Sequence, residues 1–300
     1  MHSLGKEYVR MSIREYIKKC DSAFEKKLFD VADRIVEGNA RVICLSGPSC
    51  SGKTTAASML VKKLSMDGRK AHIISIDDFY FDRDHLNRLS EQKGLGEIDY
   101  DSADTIDLIE LKRFIAEVFS GEDIHCPVFD FKKGERVGYR TVRADARDMF
   151  IFEGIQAIYP QVTEMLLPTG YVSVYISPQR GLPSADTVIQ PIDIRFMRRL
   201  VRDSNFRGAT PEFTMKLWET VRKNEEKNIF PYVDGCEYIV DSTLDYELGV
   251  LRPYLERLLS TIGNDSRYFS KARDILMSIA PIEPISSQLI GEDSLYREFV

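Results

Sequence analysis

The chain has 300 residues, enough for one large α/β domain or two small ones, and 43% of them are apolar, which excludes a disordered polypeptide. Its 41 basic and 47 acidic residues leave a formal charge of −6, which disfavours a general electrostatic binder of nucleic acid. No apolar run approaches the roughly 18–20 residues that span a bilayer, the first residues lack the apolar core of a signal peptide, and five scattered cysteines and four dispersed histidines suggest neither a disulfide framework nor a zinc cluster. A cytoplasmic protein with reduced thiols and no membrane partner is expected.

The first 38 residues read as helical. Ser12 and Glu15 have capping-box spacing, and Asp21 is placed to cap a second helix. Phe24, Leu28, Val31, Ile35 and Val36 share one face of that helix, which Gly38-Asn39 would end. Residues 41–46 (RVICLS) form a near-continuous apolar run, the pattern of a strand buried on both faces. A glycine-rich loop and a helix to about Met66 follow, then a second such strand at 71–76 (AHIISI). Residues 107–120 have helical spacing through Leu108, Leu111, Ile115, Val118 and Phe119. Further strands are predicted at 149–152 (MFIF), 171–176 (YVSVYI) and 237–240 (EYIV), and helices over 194–203, 211–228 and 244–261. Strands alternating with helices predict an α/β fold with a doubly wound, mostly parallel sheet. In such sheets ligands sit beyond the carboxyl ends of the strands. The chain divides into a helical extension over 1–38, a core over 39–262 and a tail over 263–300 packed on that core.

Directly after the first strand stands GPSCSGKT (47–54), a match to G-x-x-x-x-G-K-[ST]. Glycines let backbone N–H groups converge on phosphate oxygens, and the following helix turns its positive end to the same anion. Gly47, Ser49, Ser51, Gly52, Lys53, Thr54 and Thr55 therefore form the expected nucleotide cradle, with Lys53 reaching the β/γ-phosphates and the Thr54 hydroxyl on Mg²⁺. Cys50 is read as a small filler. The second strand ends in Asp77-Asp78-Phe79-Tyr80. A kinase needs an acceptor for the proton of the attacking hydroxyl and carboxylates for Mg²⁺. Asp77 is assigned as base, its role at the metal left open, and Asp78 as a helix or turn cap. Glu153, ending the strand before Gly154, is either a metal carboxylate or an ordinary strand-end residue. Phe129 and Phe131 around Asp130 suit stacking on a planar base, or the core. Arg195, Arg198, Arg199 and Arg202 fall at i, i+3, i+4 and i+7, and Arg207 precedes Gly208, so five arginines lie within thirteen residues. Such a row is a lid closing on ATP, a solvated face or an RNA-contacting patch.

Taken together, GPSCSGKTT (47–55), SIDDFY (75–80), DYDSADTID (99–107), PVFDFKKGER (127–136), FEG (152–154) and RRLVRDSNFRG (198–208) resemble the uridine kinase branch of the phosphoribulokinase/uridine kinase family. The resemblance covers about 40–260, and the tail at 285–299 is similar to a bacterial-type subgroup of these nucleoside kinases. It implies a P-loop NTPase fold with a helical lid at about 190–210 and ATP-dependent phosphorylation of the 5′-hydroxyl of uridine or cytidine. By position it implies Asp77, Lys53, Arg202 and Arg207 as catalytic residues, Arg199 on ATP, and Thr54, Glu153 and Asp77 on Mg²⁺. Tyr80, Asp101, Phe129, Phe131, Arg136 and Arg202 would contact the nucleoside, with Asp101 on ribose hydroxyls. No stable nucleic-acid partner is expected, and a homo-oligomer is a family-level expectation. Three positions depart from the family pattern. Phe129 replaces a tyrosine, Gly134 stands where a base-reading histidine is frequent, and Ala209 replaces an arginine. The first two bear on base specificity, so a broader nucleoside, a pantothenate-like alcohol or a sugar phosphate is the alternative acceptor. A nucleotide switch would show N-K-x-D, which the sequence lacks. A degenerate, nucleotide-binding or RNA-contacting relative is the reading from another class.

Overall fold

In the computed structural model, which describes residues 11–94, 98–118, 123–145 and 147–300, the first described element is one long helix, α1 (Ile13–Glu37). Ser12 and Glu15 form the expected capping box, and Gly38 caps the other end. The expected break at Asp21 does not occur. Its carboxylate accepts instead from Tyr246 Oη at 2.6 Å and Ser294 Oγ at 3.0 Å. Residues 1–10 of the expected extension, and Phe119 and Ser120 of the helix expected over 107–120, lie outside the described residues.

The chain continues through β1 (Val42–Ser46), α2 (Lys53–Met66), β2 (Ala71–Ser75), α3 (Arg83–Gln92), α4 (Leu108–Val118), β3 (Ile124–Asp130), β4 (Glu135–Val142) and β5 (Met149–Glu153). It then forms α5 (Pro160–Leu166), β6 (Val172–Ser177), β7 (Leu182–Ser184), β8 (Thr187–Ile189), α6 (Pro191–Arg207), α7 (Pro211–Asn228), β9 (Tyr238–Asp241), α8 (Glu247–Leu259) and α9 (Phe269–Ile279).

Five strands pair in parallel in the order β2-β5-β1-β6-β9. Successive residues of a strand face opposite sides, which explains the unbroken apolar runs. Ile43, Leu45, Ile151 and Ile176 enter a core shared with α1, α2, α6, α8, α9 and Leu295, Tyr296 and Phe299. Val42, Cys44, Phe150 and Phe152 enter a second core with α4, α5 and β3. No described helix is long and apolar enough to cross a membrane.

Two antiparallel hairpins, β3–β4 and β7–β8, escape the sequence reading. The first shifts register between Val128 and Phe129. Its turn needs Gly134 at φ +74°, where an added Cβ would fall 2.6–2.8 Å from the Arg83 guanidinium.

Candidate active site

The loop after β1 wraps the amino end of α2. A Cβ on Gly47 would lie 2.1 Å from the Ile176 carbonyl oxygen, so the strand spacing itself demands glycine there. Cys50 is held at φ 61°. That conformation costs a non-glycine residue roughly 1–3 kcal/mol and persists only where its surroundings over-determine it. Helix α6 supplies the surroundings. Arg195 Nε donates to the Ser49 carbonyl at 3.1 Å, Arg198 Nη1 to the Cys50 carbonyl at 3.3 Å and Arg199 Nη1 to Ser49 Oγ at 3.1 Å. Arg195 and Arg198 are 3% and 0% exposed. Their charges are met by the equally buried Glu225 and Glu247. These two arginines are therefore neither a solvated face nor an RNA-contacting surface; they are buried struts under the phosphate loop. Arg199, Arg202 and Arg207 converge on one carboxylate, Asp203, at 3.2, 2.8 and 3.6 Å.

β1 and β2 are not neighbours, because β5 lies between them with Glu153 in register with both Leu45 and Ser75. Glu153 thus ends the middle strand, between the phosphate loop and the 3₁₀ turn Ile76–Phe79 that carries Asp77 and Asp78. Burial pushes the Glu153 carboxyl up to about 7, against the opposing pull of Lys53 and with help from Asp77. Burial raises Asp77 too, again opposed by Lys53. Asp101 is raised to about 7 by burial and by Asp99, while Arg199 and Lys53 oppose the shift. The Lys53 charge thus opposes the shift at all three carboxylates, and its own hydrogen bond runs back to the Pro48 carbonyl at 3.2 Å. Asp78 has a different use: its Oδ1 accepts from the Phe129 amide at 3.2 Å and fastens the β3–β4 hairpin to the sheet.

Among the described residues, no group of three histidine, cysteine or acidic side chains could hold a metal by itself. Mg²⁺ takes one or two carboxylates and completes its shell with phosphate oxygens and water. Exposed Thr54, with Glu153 and Asp77, offers the hard oxygen donors such an ion needs.

Beside the carboxylates stands an aromatic wall. The Tyr80 ring lies 6.1, 6.0 and 6.4 Å from those of Tyr100, Phe129 and Phe131. Tyr80 and Phe129 are buried, whereas Phe131 is 56% exposed, so core and open wall are combined. Arg136 is engaged elsewhere, with Asp107 at 3.2 Å and Tyr139 Oη at 3.4 Å.

Some site residues escaped the sequence reading. Asp203, Glu225 and Glu247 are the partners of the arginine row. Gln156 joins Tyr80 to Tyr100, a lone amide in the apolar stretch GIQAI being the only local signal. Glu298 accepts from Thr55 Oγ1 at 3.4 Å, and Leu295 packs where a Gly52 side chain would stand.

A phosphate-binding loop at the carboxyl edge of a parallel sheet, with carboxylates at the ends of the neighbouring strands, defines a P-loop kinase. The chain belongs to the phosphoribulokinase / uridine kinase family, whose model matches residues 42–248. It is 29% identical to a uridine kinase of Brevibacillus brevis over 228 residues, 76% of this chain and 94% of that protein. It is 26% identical to a uridine kinase of Lactobacillus johnsonii over 224 residues, 74% of this chain and 96% of that one. Uridine-cytidine kinase C of Dictyostelium discoideum is 28% identical over 218 residues, 72% of this chain and 42% of that protein. Membership makes the protein a small-molecule phosphotransferase and implies the use of ATP.

Proposed function

We propose that the protein transfers the γ-phosphoryl group of ATP to the 5′-hydroxyl of uridine or cytidine. The observation that carries this reading is that Asp77 follows β2 and Glu153 ends the adjacent β5 beside the phosphate loop, next to the aromatic wall of Tyr80, Phe129 and Phe131. Asp77 accepts the proton of the attacking hydroxyl. Its carboxyl, raised by burial, is a stronger base than a solvated one. Asp101 holds the ribose hydroxyls, and the exposed Phe131 ring covers the base. Lys53 gives charge to the β/γ-phosphates. Arg199, Arg202 and Arg207 exchange the Asp203 carboxylate for phosphate oxygens, where charge develops during transfer. Thr54 and Glu153, with Asp77 in reach, would hold Mg²⁺, which would supply positive charge to neutralise the phosphates.

One observation favours a second reading, a broader acceptor. Position 134 is a glycine with the Arg83 guanidinium beside it, so it carries no side chain to hydrogen-bond the base edge. A purified-protein screen with Mg-ATP and uridine, cytidine, purine nucleosides, pantothenate or ribulose phosphate separates the two. ADP release should need Mg²⁺ and rise most with uridine or cytidine. Release that rises only with a non-nucleoside alcohol moves the acceptor to the second reading, and none with any acceptor refutes both.

A further inference from the structure

The turn that follows Glu153 and Gly154 does two things at once. Gln156, fully buried at 0% exposure, donates from Nε2 to Tyr80 Oη at 2.9 Å and to the Tyr100 carbonyl at 2.8 Å. Three residues later, Tyr159 Oη donates to the Asp101 carbonyl at 2.8 Å. Two consecutive carbonyls, those of Tyr100 and Asp101, are therefore held from one turn.

The orientation of the Gln156 amide follows from these contacts. Flipped, it would set its oxygen against the Tyr100 carbonyl. In the orientation found, Oε1 is buried with no hydrogen-bond partner among the described residues. A buried acceptor left without a donor carries a desolvation penalty. An apolar side chain of similar length would remove that penalty and strand nothing, because Tyr80 Oη by itself donates to the Tyr100 carbonyl at 3.0 Å. Stability alone would thus favour methionine over glutamine here. What glutamine adds is a fixed link between three segments: the one carrying Asp77 and Tyr80, the one ending in Glu153, and the one carrying Asp101.

We propose that Gln156 and Tyr159 are positioning residues of the acceptor pocket, which lock the turn bearing Asp101 against the carboxyl end of β5 and so fix the distance from Asp101 to Asp77. The acceptor's identity rests on the proposed nucleoside kinase reading; the lock itself does not.

Gln156→Met tests it in the full-length protein, with Tyr159→Phe as a second variant. Amide hydrogen exchange over 98–103 should quicken about fivefold to tenfold in each variant, the loss of one restraining hydrogen bond. The Tm of Gln156→Met should be equal to or above that of the native chain. The KM for uridine should rise about tenfold in Gln156→Met while the KM for ATP stays within about twofold, a split that a purely structural residue would not produce. Unchanged exchange over 98–103 in both variants overturns the proposal whatever happens to Tm, as does an equal rise in both KM values. If the native protein does not phosphorylate uridine, the functional reading fails, and the exchange measurement still decides the lock.

Discussion

Asp77→Asn is expected to lower kcat about 10²–10⁴-fold, the usual worth of a positioned general base, or ~3–5 kcal/mol of barrier. The amide keeps the shape of the carboxylate, so ATP should still bind. Fold stability should not suffer either. Burial is the main influence on this carboxyl and disfavours its charge, and a neutral amide avoids that cost. The distinguishing pattern is therefore a collapse in turnover with an unchanged or raised Tm and a near-native KM for ATP. Steady-state kinetics and a thermal melt read all three. Turnover within about tenfold of native would remove Asp77 from the role of base.

Glu247→Ala should produce the largest loss of stability. Glu247 and Arg198 are both 0% exposed and meet through two hydrogen bonds of 2.7 and 3.0 Å. Truncating the carboxylate leaves the Arg198 charge uncompensated in the interior, which costs about 3–5 kcal/mol, a fall in Tm on the order of 10 °C in a chain this long. It also removes the acceptor for the Leu244 amide at 2.9 Å. Nucleotide affinity should fall with it, since Arg198 is one of the groups that hold the Cys50 carbonyl in the phosphate loop. The pair Arg198→Met with Glu247→Leu should recover much of the stability, because no charge is then stranded, while leaving ATP binding weak. A Tm for Glu247→Ala within about 2 °C of native would contradict the account of the buried struts.

The parts legible in the sequence are the ones whose physics is local. The phosphate loop is legible because strand, glycine turn and helix start are consecutive, and cradle geometry depends on little else. Strands β1, β2, β5 and β6 are legible because each sends alternate side chains into two cores and so reads as an apolar run; β9, with Ile239 half exposed, is legible from its short apolar run alone. Sheet order is not local, and the intervention of β5 between β1 and β2, which makes Glu153 central, leaves no mark in either strand. The β3–β4 hairpin escapes notice because β4 is mostly exposed and polar, so its identity depends on pairing with β3. The arginine row illustrates the same limit. Its spacing announces an anion partner, but Glu225 and Glu247 lie 30 and 49 residues away from Arg195 and Arg198. Only folding reveals that two of these arginines serve the protein's own backbone. Asp21 belongs with them: in sequence it is a cap, and in space it is the acceptor for Tyr246 and Ser294.

Phosphoryl transfer from ATP to the 5′-hydroxyl of a pyrimidine nucleoside is the proposed reaction. Incubating the purified protein with Mg-ATP and uridine, and resolving the products by phosphorus NMR and mass, tests it most directly. Uridine 5′-monophosphate and ADP are expected in equal amounts, both abolished by chelating Mg²⁺. ADP accumulating with inorganic phosphate and no phosphorylated nucleoside would contradict it.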